Sequence, residues 1–258
     1  MDRTRPILNV LGAGLFLAAC SSGGAGHASS TSTRAPSAPG SSSSTTTVAY
    51  RPTIDPATFT SHVTNRYFPL KPGTTSVLEG TRDGQPQHTE MTVTHETRTI
   101  MGVTCVVVRD TVTSNGALVE KTTDWYAQAA NGDVWYFGED TKEYENDAVS
   151  STKGSWEAGV DGAQPGIIMK GTPRVGDGYR QEYRPGEAED MAKVVRFDPQ
   201  VQVPGGTYRD VLVTEDTDPL NPDRIDEKRF APGIGLVYTK RVRTGHQEEA
   251  SFVKTTTG

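Results

Sequence analysis

The chain reads as a mainly β protein, an antiparallel meander forming a curved sheet or half-barrel of two related lobes, with a short N-terminal helix. Three observations predict this. Period-two alternation runs through T-E-M-T-V-T-H-E-T, where Met91, Val93 and His95 alternate with Thr92, Thr94 and Glu96, as a strand with two unlike faces requires. β-Branched residues fill G-V-T-C-V-V-V-R-D-T-V-T, directly ahead of the turn pair Asn115-Gly116. The connections between such runs are short and rich in Gly, Pro, Asn and Asp, which favours hairpins.

The first residues supply Arg3 and Arg5, then an apolar run from Ile7 to Ala19 that ends in L-A-A-C. A basic start followed by a short apolar run is a secretory signal, and this run falls short of the ~20 residues of a membrane helix. Leu17-Ala18-Ala19-Cys20 resembles the lipobox of bacterial lipoproteins. That implies cleavage of residues 1–19, lipidation of Cys20 and anchorage on the extracytoplasmic face of the cell membrane, with acyl burial giving roughly 0.8 kcal/mol per CH₂. Residues 20–49 hold Cys20 and a Ser/Thr-rich stretch with almost nothing to bury, so they read as a disordered tether. Residues 1–19 carry a net charge of +1, so cleavage takes the chain from −6 to −7. An acidic chain without basic clusters argues against nucleic acid as a partner. With Cys20 lipidated only Cys105 remains, so the fold must hold without an intrachain disulfide.

Residues 50–258 form the β domain. Asp55 as a cap and Pro56 in a first turn predict a short helix over Ile54–Val63. After the breaks at Pro69 and Pro72-Gly73, strands follow the two runs above and continue at 118–128, 134–139, 141–145, 179–183, 193–197, 211–214, 224–230 and 236–243. The halves resemble each other. K-P-G-T-T-S-V-L-E-G lies on R-V-G-D-G-Y-R-Q-E-Y, M-G-V-T-C-V-V-V-R-D-T on P-G-G-T-Y-R-D-V-L-V-T-E-D-T, and W-Y-A-Q-A-A-N-G-D-V-W-Y on R-F-A-P-G-I-G-L-V-Y. One common offset marks candidate repeats at 66–160 and 165–258.

Within Asp124–Glu139 the aromatics fall on both faces of a hairpin. Tyr126, Val134 and Tyr136 match Phe230, Val237 and Thr239 as a shared core face, whereas Trp125, Trp135 and Phe137 match Arg229, Tyr238 and Lys240. Three coverings fit this second face: the chain's own segment carrying Trp156, Ile167, Ile168 and Met169, the other lobe, or an apolar or sugar-like ligand held by rigid aromatic walls. The Trp156 segment is the expected cover. If a small molecule binds, Trp125, Trp135, Phe137 and Trp156 are the candidate ligand residues.

Other chemistry is sparse. No G-x-S-x-G elbow or Ser/His/Asp arrangement is present, and Cys105 sits mid-strand among valines as a small hydrophobe. His88 and Glu90 share one strand face while His95 points to the other; His62 and His246 stand alone. The candidate cation ligands are Glu187, Glu189 and Asp190 in P-G-E-A-E-D-M-A, and Asp216, Asp218 and Asp223 in the acidic loop from Asp216 to Asp226, which lacks the spacing of an EF-hand. The bland alternatives are the charged first turn of a short helix and a solvated turn. Nothing calls for a cofactor.

The segments N-R-Y-F-P-L-K-P-G-T-T, D-W-Y-A-Q, N-G-D-V-W-Y-F-G-E-D-T-K-E-Y, G-S-W-E-A-G-V-D-G-A-Q-P-G-I-I-M, P-G-E-A-E-D-M-A and A-P-G-I-G-L-V together resemble a widespread group of prokaryotic lipoproteins and secreted proteins. The resemblance spans nearly all of 50–258 and implies a location without an activity or functional residue. By fold analogy alone, a lipidated curved meander is similar to half-barrel lipid carriers such as LolA and LppX. The expected role is therefore a non-enzymatic binding or scaffold protein of the cell envelope whose partner is an apolar ligand or an envelope protein. A lipid carrier with an enclosed cavity is the alternative, and an enzyme comes third.

Overall fold

A computed structural model describes residues 50–241 and 247–258. The signal peptide, Cys20 and the tether expected over 1–49 lie outside the described residues, as does His246. Asp55 accepts a hydrogen bond from the Ala57 amide and caps a single 3₁₀ turn, Pro56–Thr58. The expected helix stops there because the following residues are drawn into strand pairs: β1 (Phe59–Thr60), and β2 (Val63–Thr64) against β3 (Pro69–Leu70).

The long strands are β4 (Thr74–Arg82), β5 (Gln85–Ile100), β6 (Val103–Ser114), β7 (Ala117–Ala129) and β8 (Val134–Glu145). Shorter ones follow: β9 (Ala148–Ser151), β10 (Trp156–Glu157), β11 (Gln164–Met169), β12 (Gly178–Arg180) and β13 (Glu182–Tyr183). A second long set closes the chain with β14 (Met191–Val203), β15 (Gly206–Asp218), β16 (Asn221–Ala231), β17 (Gly235–Arg241) and β18 (Glu248–Thr257). Residues 134–139 and 141–145, expected as two strands, form β8 as one.

All pairings are antiparallel and run in the order β12, β14, β15, β16, β17, β18, β4, β5, β6, β7, β8, β11, β13. The two ends of that path, β12 and β13, are separated in sequence by Gln181 alone. One stretch of chain therefore pairs with β14 through its first half and with β11 through its second, and the sheet curls into a nearly closed barrel. Close approach at this seam needs Gly166, where a Cβ would lie 2.2 Å from the Gln181 carbonyl oxygen.

The N-R-Y-F-P-L segment fills the barrel's apolar part. Asn65 donates to the Gly132 and Lys170 carbonyls and accepts from the Tyr67 and Phe68 amides. Phe68 then sits between the two halves, 5.4 Å from the Tyr126 ring and 6.5 Å from Phe230. Val63, Leu70, Tyr136, Leu236 and Val237 belong to the same buried cluster, at roughly 25 cal/mol per Å² of apolar surface removed from water.

Candidate functional site

The aromatic hairpin is β7–β8. Tyr126 pairs with Tyr136, their rings stacked at 4.7 Å. A bulge at this point passes over Phe137 and sets Trp125 opposite Gly138. The cover of the second aromatic face differs from the expected one. Phe59 packs edge-on to Trp135 at 6.1 Å and to Phe137 at 5.6 Å, while the Arg98 guanidinium lies 4.2 Å over the Trp125 ring. The Trp156 segment instead extends the sheet. β10 pairs with Gly138 and Glu139, and β11 with Val134, Trp135 and Tyr136. A strand edge offers unpaired backbone groups, and chain that hydrogen-bonds them is held there rather than laid across a face. Gly138 makes the approach feasible, with φ +137° and a would-be Cβ 2.3 Å from the Trp156 carbonyl oxygen. Trp156 ends edge-on to Tyr136, 5.3 Å between ring centres.

Beside β8 and β10 lies a cleft of about 320 Å³, lined by Arg98, Trp125, Glu139, Asp140, Ser155, Trp156, Glu157, Val160, Asp161 and Arg184. Of the four candidate aromatics, Trp125 and Trp156 meet here; Trp135 and Phe137 do not. Arg98 is ion-paired with Glu157, and Arg184 reaches Asp161 at 3.5 Å and donates to the Ser155 carbonyl at 2.8 Å. The Ser155 hydroxyl accepts from the Thr141 amide and donates to the Thr141 carbonyl, taking the place of a strand partner. The Trp156 indole N–H is buried and has no hydrogen-bond partner among the described residues. Val160 on the wall and Met101, which lies against Gly159, are exposed apolar side chains at the rim. Because Arg98 caps the face of Trp125, the cleft presents hydrogen-bonding and ionic groups between aromatic walls.

The interior of the barrel is charged, which the sequence reading missed. In β7, Glu120, Thr122, Asp124 and Tyr126 point inward and are buried; Lys121, Thr123 and Trp125 point out. Their inward neighbours include Asp110 and Val108 on β6 and Glu139 and Thr141 on β8. Burial pushes Glu120 up to about 8, helped by Glu143, and Asp124 up to about 7 against the pull of the Tyr136 hydroxyl. Asp110 and Glu139 are raised as well, first by burial, then by Asp124 and by Glu182 respectively. On the other side of the barrel several buried charges are paired, while burial raises Asp190 and Asp218. Lys228 lies 2.9 Å from Asp216, Arg224 and Arg241 lie 2.8 and 3.0 Å from Asp226, and Arg241 lies 3.2 Å from Glu248. Burial acts to raise Asp226, but Arg224 and Arg241 hold it below the usual carboxylate range.

The candidate cation ligands are not brought together. Asp216 and Asp218 are buried, with Asp216 on Lys228, while Asp223 is exposed. The span from Asp216 to Asp226 is the meeting of β15 and β16 around a tight turn, not a solvated loop, because its alternate acids face inward. Glu187 is exposed, Glu189 lies 3.7 Å from Arg180, and Asp190 is buried. P-G-E-A-E-D-M-A forms a turn closed by an Arg184–Ala188 bridge and leads into β14, with no helix. No three His, Cys, Asp or Glu groups among the described residues are placed to hold a metal ion. His88 bridges Glu79 at 2.7 Å and Glu90 at 3.3 Å on the outer surface. Burial pushes the Cys105 thiol up to about 12, which leaves it unreactive at neutral pH.

No family model matches the sequence, and no curated relative does. Two solved structures align with the chain. One is a protein of Bacteroides fragilis described as exported and as having a YmcC-like fold, with 13% identity, a TM-score of 0.43, and coverage of 74% of this chain and 99% of that one. The other is a protein of Parabacteroides distasonis described as a lipoprotein, with 14% identity, a TM-score of 0.40, and the same coverage of 74% and 99%.

Proposed function

We propose that this chain is a cell-envelope lipoprotein, anchored through Cys20, that acts as a binding protein without catalysis and takes a polar, sugar-like ligand in the cleft between Trp125 and Trp156. The observation that carries the reading is the composition of that cleft. Two indoles line it, the charges of Arg98, Glu157, Asp161 and Arg184 surround it, and the buried Trp156 indole N–H has no hydrogen-bond partner among the described residues. Aromatic walls with convergent polar groups suit a ligand that has both apolar faces and hydroxyls. An enclosed acyl chain is favoured less, since inside the barrel it would lie against Asp124, Glu139 and Lys228.

Titrating the detergent-solubilised full chain with N-acetylglucosamine oligomers and, separately, with phospholipid vesicles tests this, read by tryptophan emission. The expected result is a saturable change with the oligomers that Arg98→Ala abolishes while the melting temperature stays within a few degrees. Arg98 is partly exposed, and its ion pair contributes only ~0–1 kcal/mol to folding. Saturable lipid binding alone would move the assignment to the carrier reading, and silence with both ligands would remove the cleft as the site.

A further inference from the structure

Asp124, Tyr136 and Glu139 form a buried bridge. The Tyr136 hydroxyl lies 2.5 Å from Asp124 Oδ1 and 2.9 Å from Glu139 Oε2, and none of the three residues is more than 2% exposed. A phenol carries one proton. It donates to one carboxylate, so a second short O···O hydrogen bond requires that the other carboxyl bring a proton of its own. Two hydrogen bonds among these three groups therefore need a phenolic proton and a carboxylic one.

The surroundings favour keeping that proton. The titratable groups facing the bridge from inside are Asp110 from β6, Glu120 and Tyr126 from β7, and Glu182 from β13; Arg98 and Arg184 share the cleft wall with Glu139 and are engaged by Glu157 and Asp161. Glu143 of β8, Glu248 of β18 and Arg82 of β4 bear on Glu120, at the far end of the row. No Lys or Arg faces inward from β5 to β8 among the described residues. Arg224, Lys228 and Arg241, across the barrel, are engaged by Asp226, Asp216 and Glu248. With both carboxylates ionised, two like charges would share one phenol in a water-excluded interior.

We propose that Asp124, Tyr136 and Glu139 are a proton-binding site that holds one carboxyl proton in the folded barrel at neutral pH, releases it in mildly alkaline solution, and thereby loosens the β8–β10 wall. Release acts on that wall because Glu139 is paired with Trp156 through the backbone and the Trp156 ring abuts Tyr136. The proposal does not depend on the cleft binding anything. Burial, which raises both Asp124 and Glu139, supports the same proton count.

The full chain in detergent is examined by infrared difference spectroscopy for the carbonyl stretch of a protonated carboxyl, and by thermal melting, both as a function of pH. The expected result has three parts: a protonated-carboxyl band at neutral pH, its loss in mildly alkaline solution, and a melting temperature that falls and a tryptophan emission that shifts over the same range. Asp110 and Glu120 contribute to that band, so the variants decide. Glu139→Gln keeps a hydrogen bond to the phenol and should lose part of the band and flatten the pH dependence of melting. Asp124→Asn is the second route if the first does not fold. The outer-face variant Glu96→Gln, which loses only an exposed ion pair with Arg109, should leave band and slope unchanged. A band and slope in Glu139→Gln identical to wild type would overturn the proposal. So would absence of the band from the wild type at neutral pH, a measurement that needs no variant to fold.

Discussion

Two ladders of this barrel share a geometry and differ in how they tolerate buried charge. Each hairpin carries a bulge at one place, between Trp125 and Tyr126 in one and between Arg229 and Phe230 in the other. Counting from the bulge, Val108, Asp124 and Glu139 form a row where the second ladder has Thr214, Lys228 and Thr239. The next row is Asp110, Thr122 and Thr141 in one and Asp216, Asp226 and Arg241 in the other. In these rows one ladder neutralises Asp216 and Asp226 with cations, whereas the other leaves its carboxylates to protons; Asp218, beyond the rows on β15, is raised by burial like the first ladder's acids. An ion pair persists over a wide pH range; a proton is exchanged with solvent. Asp226, held low by its two arginines, should therefore be indifferent to pH near neutrality, and the first ladder's acids should not.

The strongest way to break the contrast is to remove a cation. Lys228→Met leaves Asp216 buried and held, among the described residues, by the Thr214 hydroxyl at 2.8 Å and the Gln181 amide at 3.4 Å. We expect a loss of ~3–5 kcal/mol at neutral pH, the usual consequence of breaking one side of a buried pair. Chemical denaturation at pH 7 checks this, and a loss below about 1 kcal/mol would refute the comparison.

Removing a titrating group from the first ladder sharpens it. Glu120 lies about 8 in the folded chain, above the 4.5 of a free glutamate. The folded state therefore binds more protons than the unfolded chain between those values, so this group's contribution falls as pH rises from about 4.5 to about 8. Glu120→Gln does not titrate. It should gain on the order of 2–4 kcal/mol over wild type at pH 9 and lose that advantage below pH 5. The denaturation midpoints of both proteins from pH 5 to pH 9 give the answer, and parallel curves would count against it.

These interior chemistries explain what the sequence could and could not disclose. The strands, the antiparallel pairing and the turn at Asn115-Gly116 were legible because alternation and turn residues are local signals. Which face lies inside is not local. In E-K-T-T-D-W-Y aromatics stand on both faces, Trp125 with Lys121 and Thr123, Tyr126 with Glu120, Thr122 and Asp124, so hydrophobicity alone does not say where the acids go. The barrel sends them in, because Trp125 finds cover outside from Arg98 and the β10 region. The aromatic pair at the cleft was legible as Trp125 and Trp156, but Trp135 and Phe137 go to Phe59, whose short strand has no periodicity to announce it. The acids between Asp216 and Asp226 read as a loop because ion pairing across strands, Asp216 with Lys228 and Asp226 with Arg241, leaves no local signal. The halves compared by sequence also slip in the hairpin. The bulges set Leu236, not Thr239, in the place of Tyr136, because the loop before β17 is shorter than the one before β8.

The smallest expected effect tests whether the contrast belongs to the interior. Lys240 is the outward neighbour of Arg241 and lies 3.8 Å from Glu249, both side chains half exposed. Solvent screens such a pair, and holding two long side chains in one geometry costs entropy that offsets most of the attraction. Lys240→Ala should therefore change stability by less than about 0.5 kcal/mol, with no dependence on pH between 5 and 9. Its chemistry matches that of Lys228, a lysine beside a carboxylate of the neighbouring strand, and the chief difference between them is burial. A loss approaching that of Lys228→Met would mean that the outer face also carries the fold, and the division between proton-filled and cation-filled interiors would lose its explanatory force.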